Sequence, residues 1–335
     1  MRRSRDAERA AWRRVLTPWD GLVDADACRD ALNQLSLAGR EVSATEVETL
    51  GTCPYKHFLR FGLKLRPWEE PERTYALDRR DVGVIMHDVL ERLFSELKAR
   101  QAFPLRLESL EPVKRRAQQL LDEEVAKLTS AGTIVHAGLV GAVRDQMEAD
   151  LYDLLEREVE DAGDFVPDRF ELEFTDLTFD FARGRRLTFR GFMDRVDVAQ
   201  KPKRVRVTDY KSGKYIWQDE DEFKGGRNVQ LAIYVLAAAA EYPKHEVTES
   251  RYYYSTASGR FKTKRIEGSD AARATLKQIL ATLDDVVRAG TFAPVADDCG
   301  FCDYVDICGP QKEVRAERKR IDPRLAGFYQ MREIK

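Results

Sequence analysis

Gly191-Phe-Met-Asp194-Arg-Val-Asp197-Val198, followed after a short turn by Arg204-Val-Arg-Val-Thr-Asp209-Tyr-Lys211, decides how this chain folds. Apolar and polar residues alternate through both stretches, which is the period of a strand with one buried face. Phe170-Glu-Leu-Glu-Phe174 and Leu177-Thr-Phe-Asp-Phe181 repeat the pattern just upstream. The links Arg183-Gly184-Arg185 and Gln200-Lys201-Pro202 are too short for a crossover, so these strands are expected to form an antiparallel meander. Alternation places Asp209 and Lys211 on one face, two rises apart. Asp194 is expected to share its face with Phe192, Val196 and Val198, and strand pairing can bring it beside Asp209. Asp197, an odd number of residues away, is left a structural part. Two carboxylates at a sheet rim repel each other unless a cation lies between them, and Mg²⁺ suits such oxygens. A cation there would acidify a bound water and orient a phosphate, while Lys211 neutralises developing charge. An isolated Asp-x-Lys on a surface strand is only an ion pair worth less than about 1 kcal/mol. Its surroundings therefore decide its meaning.

Working outward, Ser43-Ala-Thr-Glu46 is a capping box that starts a short helix running to Cys53-Pro54. A helix over about 81–99 carries Leu90, Leu93, Phe94 and Leu97 at helical spacing, with His87 on the same stripe. Residues 111–160 show Leu-bearing amphipathic patterns, read as a helical insertion over about 105–165. Beyond Lys211 come a helix at about 227–241, a strand through Tyr252-Tyr253-Tyr254 and a helix at about 270–289. Residues 1–41 read as a loosely organised charged lead-in, 42–310 as the folded domain, and 311–335 as a polar tail.

The bulk composition narrows the function classes. Hydrophobic residues make up 43% and aromatics 10%, enough for a core, while 56 basic and 58 acidic side chains leave a net charge of −2. No overall basic field announces a polyanionic partner, so any nucleic-acid surface must be local. There is no apolar run of membrane-spanning length and no signal-peptide pattern, and a cytoplasmic location is the default expectation. Five cysteines without an export signal favour a metal or cluster over disulfides. Cys299-x₂-Cys302-x₅-Cys308 needs a fourth thiolate, for which Cys53 is the best candidate and Cys28 the spare. Zinc suits four thiolates as well as an iron–sulfur cluster does, and spacing alone leaves both open.

Gly191-Phe-Met-Asp194-Arg-Val-Asp197 with Val207-Thr-Asp209-Tyr-Lys211-Ser-Gly213 resembles the PD-(D/E)XK nuclease signature, most closely its RecB/AddB-like subgroup. The resemblance covers roughly residues 42–310. It implies an α/β, restriction-endonuclease-like core, a mixed central sheet flanked by helices, with a helical insertion and an iron–sulfur-bound edge. It also implies Asp194 and Asp209 as ligands of Mg²⁺ or Mn²⁺ and Lys211 as catalytic. Gln230 and Tyr234, at i and i+4, match the Gln-x-x-x-Tyr element of that subgroup, and His87 resembles its upstream metal-binding histidine. An early cysteine with a late group of three resembles the [4Fe–4S] holders of the same enzymes, here Cys53, Cys299, Cys302 and Cys308.

The expected function is metal-dependent hydrolysis of DNA, as an exonuclease in repair or recombination, on single strands or free ends. The chain contains no Walker-type loop to drive unwinding, so a helicase domain or subunit is the expected partner. Arg60, Lys214 and Arg227 are the first candidates for phosphate contacts. A non-catalytic DNA-binding or assembly module that keeps the cluster is the alternative, and a metal-binding structural domain a third reading.

Overall fold

The computed structural model describes every residue except 1, 25, 68–76, 78, 131–136, 162, 218–220 and 298. Of residues 2–4, 129, 130, 137, 138 and 301 it describes the backbone only. In chain order the elements are α1 (Arg2–Ala11), α2 (Arg29–Leu35), β1 (Glu41–Val42), α3 (Ala44–Thr52), α4 (Pro54–His57), α5 (Arg79–Ala99), α6 (Leu110–Ser130) and α7 (Ala137–Glu160). There follow β2 (Val166–Ala182), β3 (Arg185–Gln200), β4 (Lys203–Lys211), α8 (Gln230–Glu241), β5 (Glu246–Tyr254), β6 (Thr263–Glu267) and α9 (Asp270–Arg288). The chain closes with α10 (Val305–Cys308), α11 (Lys312–Lys319) and α12 (Ala326–Met331).

One mixed six-stranded sheet organises these elements in the order β1-β3-β4-β5-β6, with β2 on the remaining side of β3. The expected meander is present, β2 to β3 and β3 to β4 both being antiparallel. The two stretches expected as separate strands upstream are one strand, β2, with a register shift between Phe174 and Leu177. After β4 the direction changes: α8 carries the chain over the sheet, and β5 pairs parallel to β4, as a crossover helix allows. The expected helix at 227–241 starts at Gln230, after a short turn over Lys224–Gly226.

Helices cover both faces, so the central strands are buried on both sides. Val205, Val207, Tyr252 and Tyr254 join a cluster with Leu231, Ile233 and Ala237 of α8 and Leu276, Ile279, Leu280 and Leu283 of α9. Tyr210 and Tyr253, one residue out of phase, join the opposite cluster under α5, α6 and α7, built on Leu90, Leu93, Phe94, Leu120, Leu121 and Leu151. Helices α6 and α7 occupy the stretch expected as a helical insertion and pack with α5 and the sheet in that cluster; residues 131–136 between them lie outside the described part. The architecture is that of an α/β restriction-endonuclease-like fold, a mixed sheet flanked by helices.

The terminal segments are not loose. Lys319 is 2% exposed, and its ammonium sits 2.9 Å from Asp20 and 3.1 Å from the carbonyls of Ala10 and Arg13. Asp322 accepts the Leu16 amide at 2.7 Å, and Phe328 and Met331 of α12 enter the main core. The sequence hid this because α11 is mostly charged; a buried lysine chelated by carbonyls leaves no apolar signature. On the other side of the core, a Cβ on Gly51 would come within 2.2 Å of the Gly226 carbonyl. That close approach lets α3 reach the start of α8.

Candidate functional site

The β3–β4 ladder runs from Gln200↔Lys203 to Arg195↔Thr208 and then stops, one step short of Asp194 and Asp209. At that fork the Tyr210 amide donates to the Asp194 carboxylate, Oδ2, at 2.8 Å instead of to a β3 carbonyl. The strands are thereby pried open by a side chain, and a cleft forms between two aspartates that the register had brought opposite each other.

On the far side of β3, Phe170↔Arg195 and Leu172↔Met193 flank Glu171 and Asp194, so these two also face each other across a ladder. Glu171 has φ +45°, a left-handed backbone that costs a residue with a Cβ about 1–2 kcal/mol. The side-chain alternation slips here: Phe170 packs with the α5–α7 cluster, whereas Leu172 and Phe174 pack with the α8–α9 cluster. The same happens on β3, where Met193 and Val196, three residues apart, belong to one cluster. The expectation that Phe192 and Asp194 share a face with Val196 and Val198 is corrected accordingly. A kinked strand pair, not simple alternation, aims Glu171 and Asp194.

α5 contributes the third member. His87 places Nδ1 3.3 Å from Asp194 and Nε2 2.9 Å from the Tyr210 carbonyl. Ligand atoms of His87, Glu171 and Asp194 all lie within 4.8 Å of one another, close enough to share one cation. Glu171 was not anticipated, because Phe-Glu-Leu-Glu-Phe reads as plain alternation and only its backbone angle betrays it. Burial first, then repulsion from Glu91 and Asp209, pushes its carboxyl up to about 7. Burial and then Asp209 likewise raise the Asp194 pKa, against the Tyr210 amide that holds its charged form. Acids so reluctant to ionise together are relieved by a hard divalent cation, and two carboxylates with one imidazole suit such an ion.

Asp209 and Lys211 project from β4 on the α8 side. Asp209 is buried, with Oδ2 2.5 Å from the Lys211 ammonium and Oδ1 accepting the Tyr234 hydroxyl at 3.3 Å. Burial would pull the lysine pKa down, but Asp209 and Asp194 outweigh it, so Lys211 stays a cation. Gln230 clamps the group: its carbonyl oxygen accepts Lys211 at 3.3 Å and the Tyr252 hydroxyl at 3.1 Å, and its amide donates to Tyr234 at 2.7 Å. The start of α8 is fixed by a second residue the sequence did not single out. Glu48 of α3 accepts the Val229 and Gln230 amides at 2.9 and 3.0 Å, capping the helix from 182 residues away. Burial pushes Glu48 up to about 7 despite these bonds and nearby Lys211.

Asp197 sits on the opposite face, fully buried between Arg195 at 2.5 Å and Arg206 at 2.8 Å. Its structural assignment agrees with this placement. The three residues expected at phosphates do not gather. Lys214 is exposed in a groove with Ser212, Arg79 and Gln146, just beyond Lys211. Arg60 lies 5.4 Å over the Phe61 ring, and Arg227 donates to the Lys224 carbonyl at 2.8 Å in a cleft with Asp297 and Arg332. His57 and Phe58, in the same aromatic stretch, are core residues: His57 is fully buried 3.5 Å from Glu46, and Phe58 stacks on Phe292 at 4.7 Å.

Cys53, Cys299, Cys302 and Cys308 line one cavity, together with Tyr55, Val295, Tyr304 and Lys312. Cys28 is not among its walls and packs instead against the main core. Cys53 occupies the break between α3 and α4, where its sulfur accepts the Val295 amide at 3.4 Å. None of the four is in a disulfide, and burial, followed by the other sulfurs, pushes Cys308 up to about 12. Four thiols that would repel one another once ionised share one cavity, a donor set that fits a thiolate-bound metal or cluster.

A family model described as the PD-(D/E)XK nuclease superfamily matches residues 41–309. An ATP-dependent helicase/deoxyribonuclease subunit of Moorella thermoacetica is 29% identical over 266 residues, 73% of this chain and 22% of that protein. Its counterpart in Lachnoclostridium phytofermentans is 26% identical over 272 residues, 78% of this chain and 22% of that protein. The one in Clostridium tetani is 23% identical over 218 residues, covering 60% and 18%. The matched part of the chain thus spans about a fifth of the length of these curated relatives.

Proposed function

Since the chain belongs to the PD-(D/E)XK nuclease superfamily, we propose that it is a metal-dependent deoxyribonuclease whose centre is the fork between β3 and β4. The observation that carries this reading is the convergence of His87, Glu171 and Asp194 within 4.8 Å, beside an Asp209–Lys211 pair at 2.5 Å. His87, Glu171 and Asp194 would hold Mg²⁺ or Mn²⁺, with Asp209 one ladder step away as a further carboxylate. When bound, the cation supplies Lewis acidity to the scissile phosphate and lowers the pKa of an attacking water.

The chain's own groups do the rest. Lys211 meets a non-bridging phosphate oxygen or steadies the water, and its fixed position lets it stabilise charge as that charge grows. Asp209 holds Lys211 protonated; Gln230 and Tyr234 keep the pair from swinging away; Glu48 anchors the helix that carries them. Burial of Asp209 and partial burial of Lys211 lower the local dielectric and strengthen each contact.

Cys53, Cys299, Cys302 and Cys308 would hold a [4Fe–4S] cluster that joins α3 and α4 to the C-terminal segment, with zinc as the alternative occupant. Iron analysis and visible absorbance of anaerobically purified protein decide between them; a colourless protein with one zinc rejects the cluster. The relatives are named as helicase/deoxyribonuclease subunits, and we extend to this chain a role in DNA repair or recombination beside a helicase. No helix among the described residues is long and apolar enough to cross a membrane.

The test is incubation of end-labelled single-stranded and duplex DNA, and of circular DNA, with Mg²⁺, Mn²⁺ or chelator. Metal-dependent degradation confined to wild type, and lost in Asp209→Ala, is expected. Equal behaviour of the two proteins under every condition rejects the enzyme and leaves a non-catalytic DNA-binding or assembly module. Circular substrates separate endonuclease from exonuclease action.

A further inference from the structure

Just upstream of Asp194, β3 presents an open face. Leu187, Phe189 and Met193 turn inward and are buried, so Arg190 and Phe192 turn outward, and both are exposed. On the edge where β4 would pair, the ladder has already ended at Arg195, and β1 resumes pairing only at Thr188 and Phe189. Phe192 is 50% exposed, and no other phenylalanine whose side chain is described reaches this level of exposure. A ring left in water forgoes roughly 1.5–3 kcal/mol of burial. Nothing in the fold requires a large apolar side chain here, since its cross-strand neighbour Glu173 is itself exposed.

We propose that Phe192 is a nucleobase subsite: it stacks an unpaired base of the nucleotide next to the scissile phosphate, and Arg190 meets the phosphate beyond. This rests on the nuclease reading and deepens it by naming the side chain that would grip a single strand whose bases are free to unstack. Phe192 stands two strand rises, about 6.8 Å, from the metal-binding Asp194, about one nucleotide of an extended strand. A flat ring accepts any base, so the subsite selects unpaired over paired DNA without reading sequence. Glu173 opposite Phe192 repels phosphate, which leaves the base and not the backbone as the group that lies over this part of the sheet. Arg190 forms no ion pair among the described residues and is available to an incoming phosphate.

The experiment measures affinity in chelator, where no cleavage occurs, by fluorescence anisotropy of a short labelled oligonucleotide. Wild type, Phe192→Ala and Phe192→Tyr are each titrated with an intact single strand and with the same strand made abasic at every position. Wild type is expected to bind the intact strand about tenfold more tightly than the abasic one. Phe192→Ala is expected to lose that preference, binding both as wild type binds the abasic strand, while Phe192→Tyr retains it. Because the ring and the base are partners, removing one should make removal of the other neutral. If Phe192→Ala keeps the full preference for intact strands, the subsite is wrong, whatever the cleavage assay shows. If the preference behaves as expected but wild type cleaves nothing with metal, the subsite stands and the nuclease reading falls.

Discussion

The carboxylate fork and the cysteine cavity are built on opposite plans. At the fork, His87, Glu171, Asp194, Asp209 and Lys211 come from one helix and three neighbouring strands, and ladder register fixes their spacing. At the cavity, Cys53 sits in a helix break and the other three in short turns and a four-residue helix near the C-terminus, with no ladder among them. The fork stores charge repulsion and a left-handed glutamate that the sheet holds in place. The cavity has no such frame. A sheet can keep a reactive arrangement assembled while its ligand comes and goes, as turnover requires, whereas a loop-built site takes its firmness from what it holds. Donor chemistry follows the same division: oxygen and imidazole at the fork suit a hard, exchangeable ion, and sulfur at the cavity would suit a soft, tightly held one.

Substitution at the fork should therefore abolish function and spare the fold. Asp194→Asn is expected to slow metal-dependent DNA cleavage by about a thousandfold or more, with circular dichroism and melting temperature nearly unchanged. A comparable loss of folding would mean that the fork is structural and would break the contrast. At the cavity the pattern should reverse. Cys302→Ser is expected to release bound metal and, for a loss of about 3 kcal/mol, to lower the melting temperature by roughly 6 °C or more. Differential scanning calorimetry with metal analysis reads both, and an unshifted transition with metal lost would show that the cavity is not a clamp.

Glu171→Gln sharpens the fork itself. Weaker Mn²⁺ binding, by about 10- to 100-fold in calorimetric titration, should accompany cleavage that recovers at high metal, because a ligand is weakened and not the chemistry. A smaller effect is expected from Gln230→Ala, about tenfold in kcat with KM little changed, measured by initial rates; removal of a clamp frees Lys211 without deleting it.

How much of this could be read from the chain depended on periodicity. The meander, the helical insertion, the pairing of Asp194 with Asp209 and Lys211, and the Gln230–Tyr234 helix all follow from spacing that a ladder or a helix converts into proximity. Glu171 and Glu48 did not, since each acts through an exception: one through a positive φ, the other through a helix cap made across 182 positions. Cys53 was found by counting thiols, not by any local pattern. Arg60, Lys214 and Arg227 were singled out by charge alone, which does not encode proximity, and they lie apart, Arg60 over the Phe61 ring and Arg227 on the Lys224 carbonyl. The termini were misread for a related reason, as Lys319 and Asp322 bury charge where a core is expected to show leucine.

The terminal clasp gives the smallest effect. Arg324 first, then the Leu16 and Arg324 amides, hold Asp322 well below the usual carboxylate range, so its charged form stabilises the fold. That contribution is complete above about pH 4, the unfolded value, and disappears as pH falls toward the depressed folded value. Asp322→Asn should accordingly lower the melting temperature by a few degrees at pH 7 and by clearly less at pH 2, as thermal melts across pH would show. Equal shifts at both values would remove Asp322 from the clasp.

Lys211→Met separates holding the ion from using it, because the substitution keeps the buried volume and removes only the charge. Mn²⁺ binding by electron paramagnetic resonance, followed on the same sample by single-turnover cleavage of a labelled strand, gives the most direct test. One bound Mn²⁺ per chain in both proteins, with cleavage at least about a hundredfold slower in the variant, is the predicted result. Cleavage at the wild-type rate by a metal-loaded Lys211→Met protein would contradict the account.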